Sequence, residues 1–144
     1  MLKPGVYNKE EINLLSIIAE LNSSNLPEDV GAIMIFIGVV KAIGKDDKRV
    51  VKLEIESYKE HADVVIQKIC KEVKEKYNVS FVKIYHLMGS FNIGEPLVFV
   101  IVASRSRKEA ILALQEAIER YKKEPALWKK EIYVNGTYSW ISHE

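Results

Sequence analysis

The sequence predicts an α+β fold: a mixed, largely antiparallel sheet with about three helices, closing on a C-terminal β-hairpin. Three observations carry this. Residues 31–40 (GAIMIFIGVV) and 97–103 (LVFVIVA) are apolar without interruption, the mark of strands covered on both faces. Three other segments repeat apolar residues every three or four positions, as amphipathic helices do. Asn135-Gly136 lies between two strand-like runs, and both residues tolerate the positive φ of a tight hairpin. Strands and helices interleave, but at least two connections read as hairpins, which argues against a doubly wound parallel sheet. At 144 residues the chain is expected to form one domain, residues 1–144, with a sizeable core.

The elements follow in order. Asn8 and Glu11 have capping-box spacing, and Ile12, Leu15, Ile18 and Ala19 give the first helix its apolar stripe. Asn22-Ser23-Ser24-Asn25 ends that helix, and Pro27 keeps the linker non-helical. Residues 31–40 form a central strand, with Lys41 at its end. After the polar turn 44–49, Val51, Leu53 and Ile55 alternate with Lys52, Glu54 and Glu56, so a hairpin of two strands is expected here. Ser57 and Glu60 repeat the capping spacing, and Ala62, Ile66, Ile69, Val73 and Tyr77 define a second helix that stops at Asn78. Its other face, with Lys68, Lys71, Glu72, Lys74 and Glu75, is a solvated surface. Residues 81–87 make a third strand, Gly89, Gly94 and Pro96 an irregular turn, and 97–103 the second apolar strand. Ser106 and Glu109 open a third helix that buries Ala110, Leu114, Ala117, Ile118 and Tyr121. Pro125 ends it, and residues 128–134 and 137–141 form the closing hairpin.

Composition bounds the function. The formal net charge is +1, so a general affinity for nucleic acid is not expected. No run of eighteen apolar residues exists to span a membrane, and the first residues, MLKPG, lack the apolar core of a secretion signal. The single cysteine, Cys70, allows no internal disulfide and fits a reducing cytoplasm; its place in the second helix makes it a small core residue.

Chemistry concentrates in residues 104–131, SRSRKEAILALQEAIERYKKEPALWKKE. Arg105 and Arg107, two of the chain's four arginines, stand at the start of the third helix. Cations there oppose the helix dipole at a cost of roughly 0.3–1 kcal/mol, which points either to a neighbouring carboxylate or to an anion site. At the other end, Lys122-Lys123 and Lys129-Lys130 bracket Pro125. Helix ends favour lysines in any case, but the chain reversal lets Lys122 and Lys129 enter one space. Clustered, partly buried amines have lowered pKa values and suit acid, base or nucleophile roles. Of three histidines, His61 and His143 read as surface residues, and His86 ends the third strand. No pair has metal-ligand spacing, so neither a metal nor another cofactor is expected. Phosphate-loop and nucleophile-elbow motifs are absent from the sequence.

These residues carry a resemblance. GAIMIFIGVVK, LEIESY before a helix, IYHLMGSFNIGEPLVFVIVAS, and an arginine-initiated helix leading to K–PALWKKE together resemble the catalytic (large) subunit of molybdopterin synthase, over roughly residues 30–141. The most specific piece is the block from Lys122 through Glu131. The resemblance implies a hammerhead-like fold and a metal-independent sulfurtransferase of molybdenum cofactor biosynthesis. Its substrate would be cyclic pyranopterin monophosphate, converted to molybdopterin by addition of two dithiolene sulfurs. The sulfur donor would be a small ubiquitin-like subunit whose C-terminal thiocarboxylate threads into the large subunit, in a heterotetramer built on a homodimer. By position, Lys122 and Lys129 match the family's catalytic lysines, and Arg107 matches a substrate-anion arginine, with Arg105 beside it. His86 is retained among the substrate-binding positions, but Leu87 replaces the arginine that often follows it. Lys41 replaces an arginine, losing the bidentate fork that suits phosphate, and Ser106 replaces a histidine, losing a proton carrier. The departures motivate an alternative: a paralogue that binds the ubiquitin-like subunit without converting substrate.

Overall fold

A computed structural model describes residues 1–22 and 24–141; Ser23 and His143, placed above in the run that ends the first helix and at the surface, lie outside the described residues. In chain order the elements are β1 (Gly5–Asn8), α1 (Leu14–Glu20), β2 (Ala32–Val39), β3 (Val50–Ser57), α2 (Lys59–Tyr77), β4 (Phe81–Asn92), β5 (Pro96–Ser104), α3 (Arg107–Lys123), β6 (Leu127–Tyr133) and β7 (Tyr138–Ile141). A short 3-10 turn, Lys45–Asp47, precedes β3. The strands form one seven-stranded sheet in the order β2-β5-β4-β3-β6-β7, with β1 also alongside β4. Every pairing is antiparallel except β1 with β4, so the predicted α+β class with a mixed, largely antiparallel sheet is what the chain adopts.

The second apolar run behaves as predicted. β5 is buried from Leu97 through Ser104 and lies between β2 and β4. The first run does not. β2 pairs with β5 alone and is an edge strand, leaving Ile33, Ile37 and Val39 exposed. Continuous apolarity signals a need for cover rather than a central position, and here the chain itself covers β2 incompletely. Nor do β2 and β3 form a hairpin: a single bridge, Ile43 to Arg49, links their connection, and β3 lies between β4 and β6. A register shift between Val50 and Lys52 turns Val50 inward with Leu53 and Ile55, leaving Val51 exposed.

Local signals fared unevenly at the N-terminus. Residues 5–8 form a strand that sequence reading missed, and Asn8 and Glu11 make a turn after it. The working capping box is Asn13 with Ser16, so α1 buries Ile17 and leaves Leu15 and Ile18 exposed. In α2 the predicted face is buried, Ala62, Ile66, Ile69 and Val73, along with Cys70. Its expected cap is absent: Ser57 Oγ donates instead to the Ala126 carbonyl at 3.1 Å, tying β3 to the segment before β6. Asn78 closes the helix in the left-handed conformation, φ 52°. α3 packs on β5 and α2; it buries Ala110, Ala113 and Ala117, small residues that allow close approach, together with the large ring of Tyr121. Arg120 fastens its last turn, donating to Glu72 of α2 at 2.7 Å and to Glu124 at 2.6 Å.

β4 runs five residues further than expected, to Asn92, because Gly89 (φ 127°) turns the strand without ending it. Before that point β4 pairs with β5 and β1, and from Gly89 onward with β3. The hairpin at Asn135-Gly136 is present, with positive φ at Gly136 alone; the loop is a turn ended by a left-handed glycine.

Candidate active site

The end of β2, the start of β3, Leu97 of β5, the last turn of α3, β6 and Ile141 of β7 enclose a cavity of about 380 Å³. Residues from both sheet edges line it, so the sheet curls around this space.

Chain direction explains which lysines enter. α3 ends at Lys123, the buried Pro125 prevents its continuation, and β6 starts two residues later. Lys122 lines the cavity on the helix side. Strand alternation then presents Lys129 and Glu131 to the cavity and turns Trp128 and Lys130 to the opposite face. Lys123 and Lys130 are engaged elsewhere, Lys123 with Glu119 at 3.9 Å and Lys130 with Glu54 at 3.7 Å. Lys130 also lies over the Tyr138 ring, 4.4 Å from its centroid. Lys41, just beyond β2, completes the cationic lining.

One carboxylate, Glu131, faces these three lysines. Its carboxylate accepts the Lys45 N–H at 2.9 Å and the Tyr133 hydroxyl at 2.9 Å. Gly44 packs so closely that a Cβ there would stand 2.4 Å from the carboxylate oxygens, which accounts for glycine at that position. Glu131 is thus held as a brace between the β2–β3 connection and β6. With it engaged, the cavity carries an excess of positive charge and suits an anionic ligand. Sequence reading had placed Tyr121 on the buried face of the third helix and Glu131 at the end of the most specific block, and gave neither a role in the site. The i, i+2 relation between Lys129 and Glu131 on a strand was the signal available.

His86 stands apart from the lining. Its ring is fully buried, 5.7 Å from the Tyr121 ring, and does not touch the cavity. Tyr121 lies on the cavity, and His86, expected from the sequence among the substrate-binding positions, packs behind that ring. Burial, and secondarily the Lys129 charge, push its pKa down to about 3, so the imidazole is neutral. Leu87, where an arginine was the alternative, is a buried core residue.

The arginine end lies elsewhere. Arg105 is exposed and pairs loosely with Asp29 at 3.7 Å, and Arg107 is exposed at the first position of α3. Ser106 is the N-cap by conformation, but its hydroxyl donates to the Glu109 carboxylate rather than capping a backbone N–H. From Arg107 to Lys122 is roughly 22 Å of helix axis at the standard rise. Within one chain, Lys41, Lys122 and Lys129 come together, while Arg105, Ser106 and Arg107 do not join them. Among the described residues, no group of three or more His, Cys, Asp and Glu is placed to hold a metal ion.

Comparison with known proteins matches this arrangement to one family. The sequence model described as "MoaE protein" matches residues 7–124, a span that includes Lys122 and stops before Lys129. A molybdopterin synthase catalytic subunit from Bacillus subtilis is 37% identical over 136 residues, covering 94% of this chain and 83% of that protein. One from Thermoplasma volcanium is 35% identical over 132 residues, 92% of this chain and 93% of that one. The rat catalytic subunit is 33% identical, and there the matched region is 54% of the protein, about half its length. In three dimensions, the molybdopterin synthase structure from Staphylococcus aureus superposes with a TM-score of 0.86 at 29% identity, covering 99% of both chains. A chain from a Helicobacter pylori complex of subunits 1 and 2 of molybdopterin-converting factor shares the fold, with a TM-score of 0.74 at 21% identity. The chain therefore belongs to the MoaE protein family.

Proposed function

We propose that this chain is the catalytic subunit of a molybdopterin synthase. It transfers sulfur from the thiocarboxylated C-terminus of a small ubiquitin-like subunit to cyclic pyranopterin monophosphate, forming the molybdopterin dithiolene. The observation that carries this reading is the convergence of Lys122 and Lys129, from either side of Pro125, on one cation-rich cavity. The substrate phosphate and the incoming thiocarboxylate are both anions, and Lys41, Lys122 and Lys129 supply counter-charge. As the sulfur adds to the pterin side chain, an ammonium gives a proton to the oxygen that leaves. The carbonyl–sulfur bond then breaks as a neutral amine in the same space attacks the acyl carbon and takes the acyl group, or as water attacks it, leaving a carboxylate, with that amine accepting the water's proton. Both lysines in the cavity weigh against a binding-only paralogue, and the buried setting of Leu87 accounts for one of the departures that motivated it.

The partner reading is supported by the Helicobacter pylori chain of the same fold, which was solved as a complex of two subunits. For Arg107, Arg105 and Ser106 to meet the same substrate, a second copy must bring its own arginine end to the lysine cavity, as in a homodimer within a heterotetramer. We place the protein in the cytoplasm, where its buried thiol Cys70 stays reduced; no helix among the described residues is long and apolar enough to cross a membrane.

The test mixes the chain with thiocarboxylated small subunit and cyclic pyranopterin monophosphate, then measures molybdopterin. Lys122→Ala and Lys129→Ala are expected to abolish product while assembly with the small subunit persists. Full turnover by both variants would overturn the assignment.

A further inference from the structure

Tyr121 stands where the core meets the cavity, and the reaction as described gives its hydroxyl nothing to do. It follows Ala110, Ala113 and Ala117 on the buried face of α3, one residue before Lys122. Its ring lies 5.7 Å from the buried His86 ring, tilted by 58°, and the residue is only 2% exposed. It nonetheless lines the cavity, where it is the one uncharged polar side chain among the described residues. A position selected for packing alone would be served by phenylalanine, which fills the same ring volume with no hydroxyl to desolvate. Burial pushes the phenol up to about 12, so it keeps its proton at any working pH.

Resting on the sulfur-transfer reading, we propose that Tyr121 is a further catalytic residue, whose hydroxyl donates a hydrogen bond to the acyl oxygen of the small subunit's C-terminus as that group is released from sulfur. Once sulfur has joined the pterin side chain, it links that carbon to the acyl carbon as a thioester. An amine or water adds to the acyl carbon, the carbonyl π pair moves onto oxygen, and an oxyanion forms. The pair returns as the carbon–sulfur bond breaks. Sulfur leaves with the bonding electrons as the product thiolate, and the nucleophile's proton passes to a neighbouring amine or to water. Tyr121 gives up no proton in this step; its O–H meets charge that develops on the acyl oxygen, where one donor has its largest effect. Lysines alone serve the step less well, because an amine that attacks or takes a proton must be neutral as it does so. The phenol donates whichever lysine is charged. Glu131 can only accept, and its carboxylate already takes the Lys45 N–H and the Tyr133 hydroxyl.

The test is Tyr121→Phe, which removes one oxygen and keeps the ring. In the thiocarboxylate assay this variant is expected to hold or raise its Tm, bind the thiocarboxylated small subunit within twofold of the native chain, and lose at least tenfold in kcat. Acid quenching followed by intact-mass spectrometry locates the loss. Small subunit joined to the pterin through a thioester should accumulate in Tyr121→Phe and stay scarce in the native chain, and hydroxylamine, which cleaves thioesters, should remove that mass. Native kcat in Tyr121→Phe would overturn the proposal. So would a loss of turnover without the adduct, which places the fault before the acyl step. The native chain separates this proposal from the reading beneath it: no molybdopterin from the native chain defeats sulfur transfer itself, whereas native product with an unaffected Tyr121→Phe defeats the role of Tyr121 alone.

Discussion

Lys122 and Lys123 are neighbours in sequence, yet Lys122 lines the cavity and Lys123 turns to Glu119. Helix geometry decides this, since adjacent residues on a helix point about 100° apart. The same discrimination separates Lys129 from Lys130 on a strand, where adjacent side chains take opposite faces. Residue identity alone therefore could not say which lysine of each pair mattered, although the chain reversal at Pro125 made a meeting of two predictable. His86 gives a residue-scale prediction for stability. Its pKa falls from its ordinary 6.5 to about 3 on folding, so between those values the unfolded chain binds a proton that the native chain does not. Stability is fully present above pH 6.5 and declines as pH falls towards 3, by up to ~1.4 kcal/mol per pH unit from this one group. Urea titrations at pH 6.5, 5.5 and 4.5 should show this slope, and His86→Leu should flatten it by one proton. An equal slope in the variant would mean that other groups govern acid unfolding.

At the scale of elements, periodicity was the dependable guide. The buried faces of α2 and α3 fall where the three- and four-residue repeats put them, and β5 is buried as its unbroken apolarity required. What sequence did not disclose was which element sits beside which. Asn8-Glu11 and Ser57-Glu60 have capping spacing but serve other purposes, because a strand pairing at β1 and a hydrogen bond to Ala126 compete for the same groups. β2 and β3 are consecutive strands that do not pair, and the long-range order β2-β5-β4-β3 leaves no local trace. The Glu131 brace is likewise non-local: its carboxylate receives the Lys45 N–H from a loop 86 residues away in sequence. Glu131→Ala strands that N–H and the Tyr133 hydroxyl, and should cost about 2 kcal/mol in urea unfolding. Gly44→Ala should destabilise the wild type, because its new Cβ meets the carboxylate, yet cost far less in the Glu131→Ala background. Additive costs in this double-mutant cycle would show that the brace does not couple loop and strand.

At the scale of the molecule, the distance between the two cationic ends of α3 governs how the site can be completed. About 22 Å of helix separates Arg107 from Lys122, and α3 lies packed on β5 and α2, so no side-chain motion can unite them. Meanwhile β2 leaves Ile33, Ile37 and Val39 exposed at an unpaired sheet edge, surface that a second copy would cover. Sharing of sites between copies has a distinctive consequence. Arg107→Ala and Lys122→Ala chains, each inactive as a homodimer, would form mixed dimers in which one cavity has both defects and the other has neither. Random assortment gives half of the dimers as mixed, each with one intact site, so coexpression should restore about a quarter of wild-type turnover. Purified homodimers mixed without exchange of subunits should restore none. If Arg107 serves the cavity of its own chain, every lysine-intact cavity in the mixture lacks its arginine, and coexpression recovers nothing. Recovery of a quarter would place the substrate between two copies, with the arginine end of one facing the lysine cavity of the other.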